Sequence, residues 1–354
     1  MIVRNAALVF AALALSACDS DPVVANDSGA TPVDTGAVDA GNPVDVGTDA
    51  GNPVTDTGPA DVGTVDAGPP TCGREGGEAC FELPTAAVMA NGGAAMPMIA
   101  PNFDCDLPPV TTTTASLPIS GVVEDFVTGD TISGATVAVF SELNYQGSPL
   151  AMATSDATGA YSLMVPSGTR GPLSWRVSAP GTLDTYLVND TVNLTLAAVM
   201  RSNRNSVDNG TASLLATLLG QSRRMGTGII AGNATDCMGR NLIGAIATIS
   251  STSSRTSNAR PTFVPSAQIY YFSPAPELPA RRMAFTATSS NGLYLALQLP
   301  PSAATSTYYA QVWGFRTTAA VAMGAAGLSL LSEVPVKVPP DVLITVNHEP
   351  LRAP

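Results

Sequence analysis

From Ser116 onward the apolar residues come in short runs of some five to seven, each broken by Gly, Pro, Asn, Asp or Ser. This spacing constrains the fold more than any other feature, because period-two alternation over such lengths suits strands and is too short for most helices. Leu173, Trp175 and Val177 alternate with Ser174, Arg176 and Ser178, and Val192, Leu194 and Leu196 alternate with Thr191, Asn193 and Thr195. Ala135, Val137 and Val139 give the same signal. An all-β sandwich follows, with strands that keep one side in a core and the other in water.

The second half of this region repeats the first. Gly121, Asp125, Gly134-Ala135, Gly159-Ala160-Tyr161 and Pro166 find counterparts, in order, in Gly232, Asp236, Gly244-Ala245, Gly292-Leu293-Tyr294 and Pro300. Ala153-Thr154-Ser155 matches Ala287-Thr288-Ser289, and Asp190 before Thr191–Leu194 matches Asp341 before Val342–Thr345. Between tyrosine and proline the second copy carries one extra residue, which would turn alternate side chains to the wrong face unless a bulge absorbs it. It also carries a Ser-, Thr- and Arg-rich insertion, Thr252 to Ser266. Between the copies, Asp208 or Asn209 can cap a short helix from Thr211 to Gly220 with leucines at helical spacing.

The run Gly-Val-Val-Glu-Asp (121–125), Ile132-Ser133-Gly134-Ala135-Thr136-Val137 and Thr154-Ser155-Asp156-Ala157-Thr158-Gly159-Ala160-Tyr161, followed by a proline and another strand, resembles the carboxypeptidase regulatory-like domain. That resemblance implies a transthyretin-like, Ig-like β-sandwich, used twice in tandem. In the peptidases that carry it this module is an accessory, so it implies no catalytic site here.

At the N-terminus, Arg4, the apolar run Ala6–Leu15 and small residues before Cys18 form a secretory signal, too short for a permanent span. Leu15-Ser16-Ala17-Cys18 resembles the lipobox of bacterial lipoproteins, which implies that Cys18 is lipidated after cleavage and that the protein is exported and anchored to the cell membrane or the outer membrane. From Asp19 to Pro70 there are ten Asp, no Glu and no basic residue, with Asp-Ala-Gly-Asn-Pro-Val at 39–44 and again at 49–54. So few large apolar side chains cannot offset the entropy of ordering the backbone, and a disordered acidic tether is expected. The expected organisation is a signal peptide (1–17), lipidated Cys and linker (18–71), a small cysteine-bearing segment (72–115), sandwich one (116–200), a connector (201–225) and sandwich two (226–354).

The net charge of −12 belongs largely to that linker: without its ten Asp and the signal's Arg4, 18 acidic residues face 15 basic ones. Nucleic acid is therefore not an expected partner, since binding it requires clustered positive charge. Cys72, Cys80, Cys105 and Cys237 are an even set in an exported chain, which favours two disulfides of undetermined connectivity. There is no Cys-x-x-Cys pair and only one histidine, so no metal or cofactor is expected.

His348-Glu349-Pro350-Leu351-Arg352 begins like a zinc-peptidase motif, but it ends in Arg and Pro350 would break the required helix. His348 is expected to lie exposed after the last strand. No Gly-x-Ser-x-Gly elbow occurs, and Gly226–Gly232 misses the dinucleotide spacing and precedes a strand. Tyr270-Tyr271-Phe272 and Tyr308-Tyr309 with Trp313 place aromatics on both faces of strands, mostly as packing. Tyr309 and Trp313 are the ones that could stack on a sugar ring. The sequence thus points to a non-catalytic protein, anchored to the membrane through its lipid, with a structural or interaction role at the cell envelope. Its partner would be an envelope protein, or a glycan if it is a carbohydrate-binding module; an unrecognised hydrolase is the remaining alternative.

Overall fold

The computed structural model describes residues 82–351, apart from short stretches at 95–96, 105–110, 127, 142–144, 257–259, 265, 276 and 281–283. The signal, Cys18, the linker, Cys72, Cys80 and Cys105 lie outside the described residues. The elements are β1 (Met89–Ala90), β2 (Leu117–Asp125), β3 (Thr136–Ser141), β4 (Ala151–Thr154), β5 (Ala160–Val165), β6 (Leu173–Ser178), β7 (Thr182–Asp190), β8 (Arg204–Asp208), α1 (Asn209–Leu218), β9 (Gly228–Ala234), β10 (Leu242–Ile243), β11 (Ile246–Ser250), β12 (Gln268–Phe272), β13 (Pro279–Ala280), β14 (Leu293–Leu299), β15 (Tyr308–Gly314), α2 (Thr318–Ala322), β16 (Ser329–Val336) and β17 (Val342–His348). The fold is all-β, built from packed sheets.

The duplication is visible in strand pairing. In the first half β2 pairs antiparallel with β5 and parallel with β8, while β3, β6 and β7 run antiparallel side by side. In the second half β9 pairs antiparallel with β14 and parallel with β17, while β11, β15 and β16 do the same. Two pairings differ: β4 pairs with β3 whereas β12 pairs with β14, and β7 pairs with β8 whereas β16 and β17 do not pair. The insertion lies between β11 and β12, and across it the chain passes from one sheet to the other.

Turn chemistry repeats as well. The Ser155 hydroxyl accepts from Ala135 N at 2.9 Å and donates to Ile132 O at 2.7 Å. The Thr288 hydroxyl accepts from Ala245 N at 3.0 Å and donates to Leu242 O at 2.7 Å. Ser155 therefore corresponds to Thr288 rather than to Ser289, one residue away from the match read in the sequence. The extra residue between tyrosine and proline is absorbed by a bulge: the β14–β9 register shifts between Ala296 and Leu299, and Gln298 takes a φ of 61°. Its side chain is held by a bond to Ser222 O at 2.8 Å.

The halves are not separate beads, because β17 also pairs parallel with β7 over five residues, from Val342↔Asp184 to Val346↔Val188. This joins the halves in one continuous sheet ordered β13-β12-β14-β9-β17-β7-β6-β3-β4. One face of that sheet, carrying Ala138, Phe140, Tyr186, Val188, Ile230, Tyr294, Ile344 and Val346, packs in a single core with Ala247, Ile249, Ala310 and Val312 of the β11-β15-β16 sheet. On the opposite face Val137, Val139, Trp175 and Val177 meet Ile119, Tyr161 and Leu163, while Leu295, Leu297 and Leu343 meet Ala212, Ala216 and Leu219 at α1.

Two expectations change as a result. The polar side of β6 does not face open water: Ser174 is buried, and Arg176 lies over the Phe140 ring at 5.7 Å, because the second half covers that face. Val192–Leu196 forms no strand. The Asn193 carboxamide oxygen accepts from Thr195 N at 3.0 Å and from its hydroxyl at 2.7 Å, closing a side-chain turn that leaves Leu194 buried and Leu196 exposed.

Residues 87–94 and 97–104 pack on the second half. β1 pairs with β10, Val88 N donates to Phe315 O at 2.9 Å, and Asn102 N donates to an Asp236 carboxylate oxygen at 3.0 Å. α1 begins where the sequence places a cap, with Asp208 accepting from Thr211 N at 3.0 Å.

Candidate functional site

The parallel pairs β2–β8 and β9–β17 set two buried polar clusters at matching positions. Gly121 lies opposite Tyr161 and Gly232 opposite Tyr294. Counting on from these glycines, Val123 faces Arg204 and Ala234 faces His348. Arg204 and His348 thus occupy the same place in the two halves. Both glycines are required by close approach: a Cβ would lie 2.3 Å from Ser202 O at Gly121 and 2.1 Å from the Tyr294 ring at Gly232.

In the first cluster the Arg204 guanidinium stacks 4.0 Å from the Trp175 ring centroid and donates to Asp190 at 2.9 Å and to the Ser202 hydroxyl at 2.7 Å. The Trp175 indole N–H donates to the same Asp190 oxygen at 2.8 Å, and the Tyr161 hydroxyl donates to Ser202 O. Asp190 ends β7, so one carboxylate joins two strands of the shared sheet to β8. Its charge is matched rather than free, as burial of an ion pair demands.

In the second cluster His348 is 1 % exposed, which overturns the expectation of an accessible residue after the last strand. It is the final residue of β17, and its Nε2 lies 2.7 Å from the Tyr294 hydroxyl while Nδ1 lies 3.1 Å from the Ser332 hydroxyl. A neutral imidazole satisfies both contacts, with one nitrogen accepting and the other donating. Burial pushes His348 down to about 3 and pushes the Tyr294 phenol up. A hydroxyl beside an imidazole is the elementary unit of nucleophilic catalysis, but Ser332 and Tyr294 are 3 % and 0 % exposed. Enclosed on all sides, the three groups satisfy one another and present nothing to a substrate.

Trp313 and Tyr309 do not form a joint platform. The Trp313 ring is buried among Ile246, Phe315, Leu328 and Leu330, its N–H donating to the Gln311 side-chain oxygen at 3.1 Å, so the expected stacking role is not available to it. Tyr309 is half-buried, opposite Pro335 and Ser250. Tyr270, Tyr271 and Phe272 are all buried, because both faces of β12 are covered.

The insertion Thr252 to Ser266 is pinned by its polar residues. The Glu333 carboxylate accepts from the Ser253 hydroxyl at 2.6 Å, Ser254 N at 2.7 Å and the Gln311 amide at 2.8 Å. Neither this network nor His348's burial is readable from residue types. The one signal in the sequence is that His348 closely follows the apolar run from Val342 to Val346.

Cys237 lies in the turn closed by Asp236, whose carboxylate accepts from Met238 N and Arg240 N; burial opposes its ionisation, but the Arg240 guanidinium and these N–H donors prevail and hold its pKa low. Cys237 is disulfide-bonded. Among the described residues no three His, Cys, Asp or Glu side chains converge as a metal site, and no helix is long and apolar enough to cross a membrane.

The fold and its cores define an all-β sandwich protein. No protein-family model matches the chain, and no curated protein matches it. Solved structures that align include chlorocatechol 1,2-dioxygenase from Pseudomonas putida, at 15 % identity over 35 % of this chain and 71 % of that one, with a TM-score of 0.18. The shaft pilin SpaA from Lactobacillus rhamnosus GG aligns at 12 % identity over 68 % of this chain and 100 % of its own, with a TM-score of 0.18. A protein from Bacteroides uniformis named for carbohydrate binding aligns at 11 % over 63 % and 99 %, with a TM-score of 0.18. TM-scores this low carry no weight for function.

Proposed function

We propose that this chain is a non-catalytic lipoprotein of the bacterial cell envelope, anchored through Cys18 and held off the membrane by the acidic linker, whose two carboxypeptidase regulatory-like halves act together as a rigid structural or interaction module. The observation that carries this reading is the continuous sheet through β17: two halves joined by a strand ladder and a common core transmit force and orientation as one body. The polar side chains that could do chemistry, His348, Ser332, Asp190 and Arg204, are engaged with one another inside it. The carbohydrate reading is weaker, since Trp313 is enclosed and Tyr309 offers only part of one ring.

The disulfides complete the arrangement. Cys237 N donates to Asn102 O at 3.0 Å, three residues before Cys105, which favours a Cys105–Cys237 bridge tying the cysteine-bearing segment to the second half and leaves Cys72 to pair with Cys80.

Mass spectrometry of the protein isolated from membranes tests both points. The expected result is a diacylated or triacylated N-terminal peptide beginning at Cys18 and, in a non-reducing digest, a Cys105–Cys237 linked peptide. An unmodified N-terminus, or a Cys18→Ala variant still in the membrane fraction, overturns the anchor. Four free thiols overturn the bridges.

A further inference from the structure

Of the eight described methionines none enters a core, and seven are among the most exposed apolar side chains of the molecule. They are Met98 (61 %), Met152 (60 %), Met164 (52 %), Met200 (72 %), Met225 (74 %), Met238 (53 %) and Met323 (63 %). Methionine ordinarily ranks with leucine and valine among buried residues. Here the cores are filled by Leu, Ile, Val, Ala and aromatics, and among the described residues the other exposed large apolar side chains are four leucines, of which only Leu196 (51 %) and Leu214 (56 %) approach the methionines. The segregation is therefore of sulfur, not of hydrophobicity.

We infer that these thioethers form an oxidisable surface that consumes peroxides while the fold stays intact. Each methionine sulfur attacks one peroxide oxygen and the O–O bond breaks. The sulfur is oxidised to the sulfoxide and hydrogen peroxide is reduced to water, with no other reactant needed. Sulfoxide formation disrupts a core because it makes an apolar side chain polar, but at an exposed site the new oxygen is solvated. At two sites a donor already waits: the Ser120 hydroxyl lies 3.2 Å from the Met200 sulfur, and the Arg223 guanidinium lies 3.9 Å from that of Met225. Cys237, being disulfide-bonded, does not compete as a thiol.

The test is graded oxidation of the folded full chain with hydrogen peroxide, followed by peptide mapping, circular dichroism and thermal unfolding. The expected result is a gain of about 16 Da at each of the seven positions, at rates within about threefold of free methionine, with near-UV signal retained and reversal by methionine sulfoxide reductases. A variant with all seven changed to Leu should fold and consume several-fold less peroxide. Loss of the near-UV signal as the sulfoxides form, oxidation of fewer than half of these sites, or undiminished consumption by the variant overturns the inference.

Discussion

His348 stays neutral in the folded chain down to about pH 3, because burial penalises the imidazolium, whereas the unfolded chain titrates near the ordinary value of 6.5. Above pH 6.5 both states are neutral and the residue adds no pH dependence. Below it the unfolded chain takes up a proton that the folded chain refuses, so stability falls toward pH 3 by at most about 1.4 kcal/mol per pH unit. His348→Gln keeps a donor and an acceptor for Tyr294 and Ser332 and removes that slope. Urea midpoints at pH 7 and pH 5 check this: the wild type should lose clearly more than the variant, and equal losses would place the imidazole in water. Little of this was legible in the sequence, where His348 follows an apolar run and precedes Glu349 and Pro350, as a strand-end residue does. Its burial comes from Tyr294 and Ser332, which lie 54 and 16 residues away.

At the level of single elements, α1 joins the two halves by packing one side on the shared sheet. Leu219, just past its last turn, is fully buried with Ala212 and Ala216, while Leu214 and Leu218 are 56 % and 41 % exposed. Leu219→Ala should therefore cost about 2–5 kcal/mol by opening a cavity. Leu218→Ala should cost under about 1 kcal/mol, as surface substitutions do. Urea unfolding of both variants decides it, and equal costs would mean that the helix docks on another side. The helix itself was readable from Asp208 and the leucine spacing, because capping and periodicity are local. The strand expected at Val192–Leu196 was not correctly readable, because alternation alone cannot outweigh the Asn193 side-chain turn, which competes for the same backbone donors. The bulge at Gln298 lies between these cases: one extra residue between Tyr294 and Pro300 announces it, and only the β9 register locates it.

For the molecule as a whole, the parallel ladder between β17 and β7 and the core common to both halves predict one cooperative transition. Calorimetry should show a single peak with equal calorimetric and van't Hoff enthalpies. Two resolved peaks would mean that the halves unfold independently and that the shared sheet contributes little. The sequence by itself determined the strand-forming alternation, the duplication and the helix cap, since each depends on neighbours within a few residues or on repetition of the same local chemistry. Only the tertiary structure decided that the last strand of the second half would complete the sheet of the first, that the polar side of β6 would be covered, and that Trp313 and His348 would be enclosed. These depend on contacts between residues more than a hundred positions apart, as in Val342↔Asp184, or on cores assembled from several strands at once. An alternating strand carries the same pattern whether its second face meets water or another sheet.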